Sequence, residues 1–170
     1  MALKKITNLI KTPNELSFLF LRVIIGCMWI SQGFIKLIDR TPDALNDHHF
    51  FLKQLHDMAD TNPIPAVSSI LNNILIPNYQ LLTWIVIFLE IGLGISMIFG
   101  IFSRIGSLVG IGFTLVLFIN TLGWGEWLWT YPLIATPMVV IFIASFQNRF
   151  GFDNYIHQKF SDNKLVDLLI

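Results

Sequence analysis

Residues 79–101 read YQLLTWIVIFLEIGLGISMIFGI. At about 1.5 Å of rise per residue, one helix of this length crosses the roughly 30 Å hydrocarbon core of a bilayer. Its one charged side chain, Glu90, falls near the middle, between Leu89 and the small residues Gly92 and Gly94. A run so long and apolar sets the fold class as membrane-spanning. Working outward, three more stretches meet the same length requirement, at about 17–38, 103–122 and 127–146. The expectation is an all-α integral membrane four-helix bundle, one unit over residues 1–170. It carries an outer loop over 39–78 and a cytoplasmic tail over 147–170.

Composition agrees. The chain is 54% hydrophobic and 13% charged, with a mean hydropathy of +0.66. Soluble domains run about 45–50% apolar and about 25% charged. The net charge of +0 provides no field to draw in nucleic acid. Cys27 is the one cysteine, so no internal disulfide or C-x-x-C chemistry arises, and it reads as a small core residue. The first apolar run is too long for a typical cleaved leader and is expected to stay as an anchor.

Basic flanks set the expected orientation. Lys4, Lys5, Lys11, Arg104, Arg149, Lys159 and Lys164 fall on one side of an even number of spans. Asp39, Asp43, Asp47, Asp57, Asp60 and Glu126 fall on the other, together with Lys36, Arg40 and Lys53. Both termini are therefore expected in the cytoplasm, in the plasma membrane. The outer loop carries two helical patterns. Thr41-Pro42 reads as a helix start, Leu45, Leu52, Leu55 and Ala59 repeat at helical spacing, and Asn62-Pro63 ends the run. Val67, Ile70, Leu71, Ile74 and Leu75 mark a second amphipathic helix, ended by Pro77. Two such helices would make a lid over the outer end of the bundle. Gly106-x-x-x-Gly110 in the third span is a close-packing pattern, and Pro137 should kink the fourth.

Ionisable groups at membrane depth are costly and so mark functional candidates. Counting from the span ends puts Arg22 and Glu90 within a few ångströms in depth. The pair reads either as a structural ion pair or as a proton- or quinone-linked carboxylate with its partner. Gln32, Lys36 and Arg40 share a face at the outer end of span one, as snorkelling residues or as an anion-attracting rim. Trp124, Glu126, Trp129 and Tyr131 crowd the connection into span four. They read as an interfacial aromatic belt or as flat walls for a planar ligand such as a quinone head group. His48, His49 and His56, with Asp60, read as a solvated helix face rather than a metal site. No metal or flavin motif is visible.

These residues resemble a known family. Arg22-x-x-x-Gly26 and Gln32-Gly33-x-x-Lys36, then Glu90-x-Gly92-x-Gly94 and Gly100-x-x-x-Arg104, and finally Asn148-Arg149-x-Gly151-x-Asp153 are similar in order and spacing to the DoxX/DoxD membrane proteins. Asn148 departs from the glycine more usual there. The long outer loop and the Trp-rich connection favour the DoxD branch. The resemblance implies a subunit of thiosulfate:quinone oxidoreductase, oxidising thiosulfate to tetrathionate with membrane quinone as electron acceptor and a DoxA-like partner subunit. With that activity, the charges at membrane depth make Glu90 and Arg22 the expected catalytic residues. Lys36, Arg40, Gln32, Trp124, Glu126, Trp129 and Tyr131 would bind substrate. Two other readings stay open: a non-catalytic accessory or scaffold protein docking a redox partner, and a small transporter, for which a homo-oligomer would be needed.

Overall fold

A computed structural model describes residues 13–38, 50–125, 128–144 and 151–159. Helix α1 spans Pro13–Ile38, α2 Phe50–Thr61 and α3 Pro65–Ile70; α3 runs on into a π-helical turn at Leu71–Leu75. Helix α4 spans Tyr79–Phe99, α5 Ser103–Asn120, α6 Thr130–Ala144 and α7 Phe152–Lys159. Helices α1, α4 and α5 are long and apolar enough to cross a membrane, and α6 is a shorter fourth apolar helix. The described residues form no strand. This is an all-α membrane bundle.

The tightest packing joins α1 to α4, and glycine permits it. A Cβ added to Gly26 would sit 2.9 Å from the Gly94 carbonyl oxygen, and one on Gly94 would sit 2.7 Å from that of Gly26. The two antiparallel backbones therefore touch, which lipid-embedded helices achieve through small residues because no hydrophobic effect drives them together. Gly106 and Gly110 make room on α5 for neighbouring side chains. Gly106 lies against Ser96 and Met97 of α4, and Gly110 lies against Met138 of α6. Ile25, Trp29, Leu93, Met97, Met138 and Ile141 then form one buried core across α1, α4 and α6. Phe20, Phe34, Ile85, Phe88, Leu115 and Ile143 point outward, as lipid-facing side chains do. Cys27 is also exposed, which corrects its reading as a core residue: it lies on the outer face of α1, one position past the glycine seam.

The two loop helices close one end. Leu55, Met58, Ala59 and Leu71 form a second buried cluster, joined by Leu82 of α4 and by Trp124. Val67, Leu71 and Leu75 pack inward as the periodicity predicts, whereas Ile70 and Ile74 are exposed. The π turn, closed by Ile76 N–H donating to Leu71 O at 2.9 Å, brings Ile76 round to the same cluster. Asn62 ties the lid to the bundle. Its Nδ2 donates to the carbonyls of Ile119 (2.9 Å) and Asn120 (3.0 Å), which a helix C-terminus leaves unsatisfied. The helix start at Thr41-Pro42, with Leu45, His48 and His49, lies outside the described residues, as do Arg40, Glu126, Asn148 and Arg149.

The glycine seam yields a paired expectation. Gly94→Ala forces a methyl group into the α1 backbone and should lower the melting temperature in detergent by several degrees, since overpacking costs about 1–3 kcal/mol. Gly112→Ala meets nothing within 4 Å and should leave it unchanged or slightly raised. Equal effects from the two substitutions would show that the seam does not hold the bundle.

Candidate functional site

With Gly26 opposite Gly94, the register of α1 against α4 is fixed. Arg22 then falls opposite Ile98, about 12 Å along the axis from the level of Glu90 at 1.5 Å per residue. The expected Arg22–Glu90 pair does not form. Depth counted from the span ends says nothing about how two helices slide past each other, and the glycine contact sets that slide.

Arg22 instead serves the end of the bundle away from the lid. Its Nε donates to the Met97 carbonyl at 3.0 Å, and its guanidinium occupies the space where a Cβ of Gly100 would stand. Gly100 ends α4 in the left-handed conformation at φ 63°. Asp153, arriving from the C-terminal segment, is an electrostatic partner of Arg22 and is itself buried. Its carboxylate accepts from Phe102 N–H (2.6 Å), Ser103 N–H (2.9 Å) and Ser103 Oγ (2.6 Å), capping the start of α5. The Asp153 N–H donates to Gly100 O at 2.8 Å. Gly151, at φ 122°, lets this segment approach Gly100. Arg104 lies 5.4 Å from the Phe142 ring centroid, a cation–π arrangement. Arg22, Gly100, Gly151 and Asp153 thus form one clasp. The sequence places Asp153 within a shared motif but gives no sign that it caps α5.

Glu90 is paired with Lys36. The Lys36 Nζ donates to both carboxylate oxygens, at 2.8 and 3.0 Å, with side chains 17% and 3% exposed. Side chains on a helix lean toward its N-terminus, so Lys36 reaches back along α1 to a carboxylate that lies deeper. Gly33 leaves room, since a Cβ there would meet Ile91 at 2.8 Å and Glu90 Cβ at 3.4 Å. Lys36 is therefore part of an ion pair inside the bundle.

The pair lines a cavity of about 300 Å³ beneath α2. Gln32, Lys36, Glu90, Trp124 and Tyr131 all line it, so five of the residues singled out from sequence converge on one space. Trp129 does not; it is 54% exposed. The lid supplies Phe51, Gln54, Leu55 and Met58, and α5 supplies Phe113, Thr114 and Asn120. Trp29 and Phe113 sit with centroids 5.7 Å apart at 36°. The walls are chiefly apolar, and the ion pair is their charged element.

Trp29 adds a residue that the sequence reading passed over. It is 4% exposed, lines the cavity, and its Nε1–H finds no acceptor among the described residues. A buried donor without an acceptor costs on the order of 1–3 kcal/mol. Trp29, Gln32 and Lys36 stand at helical spacing on one face, a signal that was present in the sequence.

A protein-family model described as "TQO small subunit DoxD" matches residues 18–170. No curated protein and no solved structure matches the chain.

The clasp predicts a specific coupling. Arg22→Met and Asp153→Asn should each destabilise the protein in detergent by a few kcal/mol, the range for a buried charge stripped of its partner. The double variant should cost less than the sum of the two. Glu90→Gln combined with Arg22→Met should instead be additive, because the groups are far apart. A melting-temperature cycle that couples Arg22 to Glu90 and not to Asp153 would contradict this assignment.

Proposed function

This chain belongs to the DoxD family, and from that premise we propose that it is the membrane subunit of a quinone-linked sulfur-compound oxidoreductase, with the Lys36–Glu90 cavity as its quinone site. The overall reaction joins two thiosulfate dianions through a new S–S bond to give tetrathionate, releasing two electrons, and a quinone bound in the cavity takes up those electrons and two protons. A DoxA-like subunit is the expected partner. We place the clasp end in the cytoplasm, on the basic flanks at Lys4, Lys5, Lys11, Arg104, Arg149, Lys159 and Lys164. Both termini would then be cytoplasmic, and thiosulfate would meet the lid end of a plasma-membrane protein.

The observation that carries the reading is the buried Glu90 carboxylate with its Lys36 partner, and Gln32 beside them on α1, at the wall of one otherwise chiefly apolar space lined by aromatic side chains. A planar ring bearing two carbonyl oxygens fits that donor set. The aromatic residues Phe113, Trp124 and Tyr131 hold the ring. The Trp29 ring forms part of the same wall. Lys36 donates from Nζ and keeps Glu90 oriented toward the cavity. Glu90 holds or releases a proton at its carboxylate, and Lys36 balances the charge this creates in a site with little water.

An accessory role has one observation in its favour. The Arg22, Gly100, Gly151 and Asp153 parts of the family motif are accounted for by the clasp, which a non-catalytic member would also keep.

The test is thiosulfate-dependent reduction of a soluble quinone analogue by the purified protein with its DoxA-like partner. Glu90→Gln should lower turnover by about 100-fold or more, the low end of what proton transfer contributes, in protein that stays folded but melts somewhat lower, because Lys36 loses its partner. Trp29→Phe should raise KM for the quinone with a smaller effect on kcat. Full turnover in Glu90→Gln would remove Glu90 from the reaction. No turnover in the wild-type complex would pass the assignment to the accessory role.

A further inference from the structure

A second cavity, of about 380 Å³, lies in the groove between α5 and α6. Thr114 and Tyr131 line both spaces. The wall between them is thus a single layer of side chains. The groove's other residues include Leu115, Phe118, Ala135 and Val139. Leu115 is 53% and Val139 39% exposed on the apolar outer surface, so the groove opens where lipid would be. Its hydroxyls make no demand on a ligand. Thr114 Oγ1 donates to Gly110 O, and Thr136 Oγ1 to Pro132 O, each at 2.7 Å.

Polar groups are concentrated in the first space and satisfied in the second. We infer that the two spaces form one site for an amphiphile, with the ring of an isoprenoid quinone in the Lys36–Glu90 cavity and its hydrocarbon tail leaving past Tyr131 and Thr114 into the α5–α6 groove. This rests on the quinone reading above and specifies its ligand as long-tailed and its entry as lateral, from lipid. Tyr131 is suited to the boundary. It is 8% exposed and edge-on to Phe118 at 6.2 Å, so its ring stands between the two spaces and must turn aside for the tail to pass.

The groove can be tested without any turnover. A quinone carrying a photoreactive diazirine in its tail is bound to the purified protein in detergent or nanodiscs, crosslinked and mapped by mass spectrometry. The expected labels fall on Leu115, Phe118 or Val139, and an excess of tail-less quinone reduces them several-fold by taking the ring site. Ala135→Phe fills the groove away from the first cavity. It should weaken binding of the tailed quinone at least tenfold and leave that of the tail-less ring unchanged. Labels on other faces would overturn the inference. So would groove labels that phospholipid removes and the tail-less ring does not, since they would mark an ordinary lipid contact. Thiosulfate turnover failing while this labelling holds would count against the oxidoreductase reading alone.

Discussion

The close contact of the α1 and α4 backbones at Gly26 and Gly94 governs most of what this protein can do. Two helices in lipid gain nothing from expelling water, so they associate where their surfaces fit, and here the fit is backbone against backbone. That contact sets which residue of α1 stands at which depth of α4. It carries Arg22 to the Met97–Gly100 turn and brings Glu90 within reach of Lys36. One glycine seam thereby assigns Arg22 and Glu90 to two sites of different character.

At the clasp end, charge and hydrogen bonding are used to hold chain segments together. The Asp153 carboxylate accepts two backbone N–H groups and a hydroxyl, and the same segment donates to Gly100 O. Such dense satisfaction stabilises a helix junction and leaves little freedom for chemistry. At the lid end the balance is reversed. The Lys36–Glu90 pair lines a chiefly apolar space, with aromatic side chains from Trp29, Phe113, Trp124 and Tyr131 around it.

The lid connects these features to the surface. Helix α2 covers the cavity with Phe51, Leu55 and Met58, and Asn62 fastens it to the last carbonyls of α5. Gly123 lies so close to the Thr61 carbonyl that no side chain fits between them. Helix α2 thus covers the lid end of the cavity, and the α5–α6 side thins to the layer of Thr114 and Tyr131.

The sequence by itself determined the membrane character, the all-α class, the two loop helices and the family resemblance. These follow from local quantities: the length of each apolar run, the 3.6-residue period of Leu55, Ala59, Leu71 and Leu75, and motif residues at fixed spacing. It also marked Glu90, Lys36, Gln32, Trp124 and Tyr131 as unusual, because charge and aromatic density at membrane depth are visible residue by residue. It did not determine who pairs with whom. Arg22 and Lys36 are both cations on α1, and hydropathy cannot choose between them as the partner of Glu90. Only the tertiary structure decided that, because the choice depends on the axial slide of one helix against another, and the contact of two glycines lacking Cβ atoms fixes it. The same holds for Asp153, whose role as a cap exists only once a segment 50 residues away in sequence folds back onto Ser103.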